Sequence, residues 1–325
     1  MKTFNSQFAI HMENMIEYRT ALGYSDKTYR SRLLALDKFI DKKYPYISEL
    51  SKSVIDDWLI SLPNETVTSK KSRAGIVRIF AEYLNSAGEK AYILPRGYIK
   101  GRKSFNPYIF SDAELTDIFY QIDRICNTKT DMLKRCTAAV LFRLIYTCGL
   151  RPGEGLRIKK RDVNLETGEI LIEQGKNKKD RIVVMSDDMS RLMKKYSMYT
   201  AFYERSQYEL FFADQCGNPY TTLWLRTILN ECFQKANPDI PKDRLPRIRT
   251  YDLRHRFASA TLCRWLNEGE NLFNMLPYLS QYMGHSSISQ TAYYIHILPE
   301  NLLKSRGIDW ERLNDVIPEV EECGE

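Results

Sequence analysis

The chain opens with a series of amphipathic stretches. From Phe4, apolar residues recur at helical spacing until Gly23 stops them, and Ser25 stands where a following helix needs its N-cap. The second stretch places Tyr29, Leu33, Leu36 and Ile40 on one face, the stripe that a buried helix requires. A short third helix is predicted around Val54, Trp58 and Leu59, and a fourth after Thr68 and Ser69, burying Ile76, Ile79, Phe80, Tyr83 and Leu84. The period then breaks, and residues 95–108, rich in proline, glycine and basic side chains, read as a linker. Ser111 and Glu114 form a capping box that opens a second domain. That domain is predicted to be helical apart from one hairpin, with strands starting at Glu169 and Arg181 on either side of a lysine-rich turn. The pattern predicts a mainly α (α+β) chain with a helical domain over residues 1–94, a basic linker over 95–108, and a mixed domain with a small antiparallel sheet over 109–325.

Composition narrows the class. With 325 residues, 43% hydrophobic and 27% charged, the chain can pack two cores and is not disordered. Its seven cysteines are scattered without a C-x-x-C pair, which argues against a disulfide framework or a zinc site and fits a reducing compartment. No apolar run reaches the roughly 18 residues of a membrane helix. Residues 1–10 lack the layout of a signal peptide, so a cytoplasmic location is expected.

The formal charge is +7, from 48 Lys+Arg against 41 Asp+Glu. Residues 1–103 hold 18 of those bases and 11 of the acids, leaving 30 of each for the rest, so the excess lies in the N-terminal part. Lys70, Lys71, Arg73 and Arg78 crowd the first half of the fourth helix, where bases oppose the macrodipole unless an anion sits against them. Lys100, Arg102 and Lys103 continue the run in the linker. These seven are the candidate contacts to a phosphate backbone.

Four segments of the second domain carry candidate chemistry. Residues 147–154 read Thr-Cys-Gly-Leu-Arg-Pro-Gly-Glu, and the hairpin turn begins with Gly175 and Lys176. Residues 251–258 read Tyr-Asp-Leu-Arg-His-Arg-Phe-Ala, and residues 284–296 read Gly-His-Ser-Ser-Ile-Ser-Gln-Thr-Ala-Tyr-Tyr-Ile-His. In this order and spacing they resemble the boxes of the tyrosine recombinase (phage integrase-like) family. The N-terminal helical unit is similar in size and helix count to that family's core-binding domain.

The residues suit such chemistry on physical grounds. Attack on a phosphodiester builds negative charge on its non-bridging oxygens, which two guanidiniums can grip while staying cationic. Arg151 and Arg254 are the candidates. A tyrosine attacks poorly at its ordinary pKa near 10 and needs concentrated positive charge around it. The resemblance places the nucleophile nine residues after His285, at Tyr294, and leaves Tyr293 to core packing. It implies Lys176 as the acid that protonates the departing 5′ oxygen and His285 as a donor to the phosphate. One position departs from the pattern: Tyr251 stands where the family usually has histidine. A phenol donates a hydrogen bond but is a weak base near pH 7. Either Tyr251 serves as donor only, or His255 and His296 carry proton traffic.

The turn is no nucleotide phosphate loop, since Ile170 holds the earlier glycine position and Asn177 replaces Ser/Thr. No cofactor and no metal are expected. The resemblance implies a C-shaped DNA clamp that acts on duplex DNA with inverted half-sites, through a covalent 3′-phosphotyrosyl link and as a tetramer on two sites. A tail helix with Ile308, Trp310, Leu313 and Ile317 on one stripe would dock either in a neighbouring protomer or on its own domain. Type IB topoisomerase-like relaxation and non-catalytic DNA binding are the alternative readings.

Overall fold

The computed structural model describes residues 3–24, 26–101, 107–125, 132–173, 180–202 and 207–297. The chain divides into two compact units, Met1–Phe105 and Asn106–Glu325.

The first unit is four helices around one core: α1 (Ala9–Ala21), α2 (Asp26–Lys43), α3 (Lys52–Trp58) and α4 (Val67–Ser86). Leu33, Leu36 and Ile40 of α2 meet Met12, Met15 and Ile16 of α1 and Val77, Phe80 and Leu84 of α4, all buried. Phe4 and Phe8 precede α1 yet are buried with them. Asp37, itself buried, holds this entry segment by accepting from the backbone N–H groups of Asn5 (2.9 Å) and Ser6 (2.9 Å).

Helix α4 starts one turn before the predicted Thr68–Ser69 boundary. Thr66 is its N-cap, accepting from Ser69 N at 3.2 Å. Three of the four bases on this helix expected to meet phosphate, Lys70, Arg73 and Arg78, have local partners. Arg73 pairs with Glu65 (2.7 Å) and donates to the carbonyl oxygens of Trp58 and Ile60. Lys70 donates to Ser61 at 2.9 Å. Arg78 donates to the carbonyls of Leu94 (2.7 Å) and Pro95 (2.9 Å), and Tyr98 donates to Asp56 at 2.8 Å. Residues 95–101 are thereby fastened to the first unit.

In the second unit, α5 (Asp112–Ile122) begins with the predicted capping box: Ser111 accepts from Glu114 N at 3.2 Å, and Glu114 accepts from Ser111 N at 2.8 Å. Its buried stripe Leu115, Ile118 and Ile122 packs against α9 (Thr222–Ala236), and α6 (Met132–Thr147) packs against α8 (Asp187–Phe202). Tyr108 lies at the end of the predicted linker, but with Phe110 it stacks edge-on against Phe233 of α9.

The sheet is antiparallel, β1 (Val163–Asn164), β2 (Glu169–Ile172) and β3 (Arg181–Val184), in that order, with Ile172 opposite Arg181. Ile170, Ile172 and Val183 point into the core, while Ile182 and Val184 are exposed, the alternation expected of a half-covered sheet. The predicted turn between β2 and β3, with Lys176, lies outside the described residues, as do Arg102, Lys103 and the tail.

Helix α10 (Thr250–Asn267) carries the second arginine box, and α11 (Leu272–Met283) runs beside it. The chain then forms a single turn, α12 (Ser289–Ala292), and a 3-10 helix over Tyr293–Ile297. Among the described residues no helix is long and apolar enough to cross a membrane.

Candidate active site

Three arginines are fixed by one turn of backbone. At the C-terminal end of α11 the carbonyls of Tyr282, Met283 and Gly284 accept in succession from Arg181 Nε (2.9 Å), Arg254 Nη2 (2.5 Å) and Arg151 Nη2 (2.6 Å). These are carbonyls that a helix end leaves unpaired, at the pole where cations are favoured. Gly284 makes the turn possible by adopting a left-handed conformation (φ 63°).

Arg151 stands at the N-cap of the short helix α7 (Pro152–Gly155). Glu154, on that turn, reaches back to Arg151 N (2.9 Å) and to Arg151 Nη1 (2.7 Å). The same carboxylate receives both terminal nitrogens of Arg181, at 3.0 and 2.6 Å. Burial alone would push Glu154 up, but the hydrogen bonds and charge of Arg181, then of Arg151, hold its pKa down at about 2. Arg181 follows the predicted turn and escaped the sequence reading. An Arg on a strand of otherwise apolar residues was the available signal.

Arg254 is fully buried, with its second anchor the carbonyl of Gly149 at 2.8 Å. Burial lowers its pKa to about 10, so it stays cationic at neutral pH. Its Nε has no hydrogen-bond partner among the described residues. Gly149 is required twice over: its φ is +58°, and a Cβ there would lie 2.3 Å from the ring of Phe257.

His285 follows Gly284, and its Nδ1 lies 2.7 Å from the hydroxyl of Thr291, which is also fully buried. Burial and then the charges of Arg254, Arg151 and Arg181 lower the His285 pKa to about 3, so the ring is neutral. Thr291 was visible in the sequence only as part of the box, with no role attached.

Tyr294 is 2% exposed, its ring in an apolar cluster with Ala258, Leu262, Leu276 and Met283. Its hydroxyl, however, meets His255 Nδ1 at 3.0 Å, and its ring lies 6.2 Å from that of His285 at an interplanar angle of 16°. Burial raises the phenol pKa while Arg254 pulls against that rise. Tyr293, expected in the core, is instead only partly buried. The 3-10 turn packs Tyr294 against α10, with its hydroxyl at His255 and its ring beside His285. Tyr251 is partly exposed, its ring 5.0 Å from that of His255 and 5.9 Å from the Arg254 guanidinium carbon.

Two clefts open on either side of Arg151. One, of about 710 Å³, is lined by Arg151, Glu154, Arg249 and Tyr251 among others, and the second, about 900 Å³, by Arg151, Arg181, Ser280 and His285. Among the described residues no group of three or more His, Cys, Asp or Glu is arranged to hold a metal ion. Of the sequence candidates, the structure brings together Arg151, Tyr251, Arg254, His285 and Tyr294. Lys70, Lys71, Arg73, Arg78 and Lys100 belong to the first unit.

One fully buried and one largely covered guanidinium, Arg254 and Arg151, thus lie beside a histidine and a phenol on a mainly helical unit with one small sheet, an arrangement suited to binding a phosphodiester. The sequence model of the phage integrase family matches residues 119–301, and the chain belongs to that family: it is a tyrosine site-specific recombinase. A candidate integrase/recombinase of Sinorhizobium fredii, y4rE, is 28% identical over 87% of this chain and 90% of its own length. Tyrosine recombinase XerC of Oceanobacillus iheyensis is 24% identical over 91% of this chain and 94% of its own. Among solved structures, the XerH site-specific recombinase bound to a palindromic difH substrate superposes with a TM-score of 0.61, at 22% identity over 83% of this chain and 75% of that one. The Tn1549 transposon integrase in complex with transposon right end DNA gives 0.60, at 14% identity over 87% and 93%.

Proposed function

We propose that the protein cuts and rejoins duplex DNA through a covalent 3′-phosphotyrosyl intermediate on Tyr294. The observation that carries this reading is the convergence, within one unit, of Arg151, Arg254, His285 and the Tyr294 hydroxyl. Arg151 and Arg254 hold the non-bridging oxygens, and the unpaired Nε of Arg254 gains its partner when a phosphate enters. With Nδ1 accepting from Thr291, His285 carries its proton on Nε2, as a donor to phosphate. Tyr251 donates a further hydrogen bond at the edge of the first cleft. Lys176 protonates the departing 5′ oxygen. Energy of the broken ester is kept in the tyrosyl link, so resealing to a different 5′ end needs no cofactor.

DNA carrying inverted half-sites is the substrate, with Lys70, Lys71 and Lys100 offering phosphate contacts from the first unit and Arg73 and Arg78 holding the backbone beneath them. Four protomers on two sites, closed as clamps and coupled by the tail helix, would complete the reaction, in the cytoplasm and on behalf of a mobile element. The test is a nicked duplex bearing the half-site recovered by binding selection from a random-sequence pool. The wild type is trapped covalently; Tyr294→Phe binds and is not trapped. Trapping of Tyr294→Phe would overturn the nucleophile, and relaxation of supercoils without any need for a second site would favour a topoisomerase instead.

A further inference from the structure

We propose that His255 is the general base that takes the proton of Tyr294, a part that Tyr251, at the start of the same box, cannot play near neutral pH. The inference rests on the reading of Tyr294 as nucleophile and adds a catalytic residue to it.

The geometry separates the two groups that act on the hydroxyl. Arg254 has only N–H groups and can stabilise a developing phenolate but never accept its proton. His255 Nδ1, at 3.0 Å, is a ring nitrogen that offers a lone pair when the neutral imidazole carries its proton on Nε2. Both side chains come from adjacent positions of α10, whose buried face presents them together. Tyr251, one turn earlier on that helix, lies against the imidazole, its ring centre 5.0 Å away. The ring of Tyr294 is in contact with the same imidazole, its centre 5.5 Å away.

The imidazole is kept in the form that a base requires. Burial first, and then the charges of Arg249 and Arg254, hold its pKa at about 4, so it is unprotonated at neutral pH. When Nδ1 accepts, the ring proton sits on Nε2. Transfer from a phenol to such a base is uphill in the free protein. Two events reverse that. The scissile phosphate brings negative charge beside Arg254, offsetting the repulsion of an imidazolium. The phenolic proton also becomes strongly acidic as its oxygen bonds to phosphorus. In the step, the Tyr294 Oη–P bond forms as the P–O5′ bond breaks. The phenolic proton passes to His255 Nδ1, and the 5′ oxygen takes a separate proton from the general acid. On resealing, the imidazolium returns its proton to Oη.

Two measurements test this. In the free full-length protein, ¹⁵N NMR of the histidine rings should show His255 as the Nε2–H tautomer, with its Nδ1 resonance moving in Tyr294→Phe. An Nδ1–H tautomer overturns the assignment without any variant at residue 255. The second uses the nicked half-site duplex of the preceding section, made with an ordinary scissile phosphate or with a 5′-bridging sulfur, which leaves without being protonated. His255→Gln should lose covalent-complex formation by about 100-fold or more on both duplexes while binding them normally. Lys176→Ala should recover on the sulfur duplex. Recovery of His255→Gln on sulfur, or activity within about fivefold of wild type on the ordinary phosphate, removes His255 as base. Covalent trapping of Tyr294→Phe would instead bring down the underlying reading.

Discussion

Replacing Glu154 by glutamine removes one negative charge from beneath two guanidiniums. The carboxylate is 10% exposed and bonds Arg181 at 2.6 Å and Arg151 at 2.7 Å, with Arg254 at 4.0 Å. Its pKa falls from 4.5 to about 2 in the folded protein, which is worth about 3 kcal/mol at pH 7. Breaking a buried pair by removing one partner costs a similar about 3–5 kcal/mol. Because the folded pKa is the lower one, this stability is complete above the ordinary carboxylate range and drains away as pH falls toward about 2. Urea unfolding at pH 7 should therefore find Glu154→Gln less stable by about 3 kcal/mol, and the gap should narrow by about 2 kcal/mol at pH 3. Covalent-complex formation should fall by roughly tenfold as Arg151 loses a tether. A gap below about 1 kcal/mol at pH 7, or one that does not change with pH, would refute the view that this carboxylate holds the arginines.

Two further perturbations reach other parts of the molecule. Gly149→Ala places a methyl group 2.3 Å from Phe257 at a positive φ, and should lower stability by about 2 kcal/mol or more and displace the carbonyl that anchors Arg254, read as a lower urea midpoint and slower cleavage. Replacing Lys70 and Lys71 together by alanine should weaken DNA binding across all sequences and reduce the slope of log affinity against log salt by about 2, measured by titration at several salt concentrations. An unchanged slope would place the phosphate contacts elsewhere.

Periodicity and caps were legible where they are local. The α2 stripe, the Ser111 capping box and the hairpin strands follow from side-chain chemistry within a few residues. The start of α4 was less so, because Thr66, Thr68 and Ser69 are all competent caps, and it is Thr66 whose hydroxyl accepts from the helix backbone. Site residues were legible as types at fixed spacing. Their partners were not: Arg181 joins Glu154 across 27 residues, and Arg151 meets the Gly284 carbonyl across 133. Main-chain acceptors have no signature in sequence at all. The partial exposure of Tyr293 was hidden for another reason, since the 3-10 turn that carries it is held by packing against α10, which no local spacing announces.

The row of carbonyls at residues 282–284 has a bearing on how this centre tolerates change. Acceptors supplied by the main chain persist through any side-chain replacement that leaves the turn wound, so Tyr282 and Met283 can drift without unseating a cation. The spacing of the three acceptors is inherited from the peptide repeat itself, whatever side chains the turn carries. Within the turn, vulnerability is concentrated in the residue that closes it, Gly284, where an added Cβ would lie 3.1 Å from Arg181.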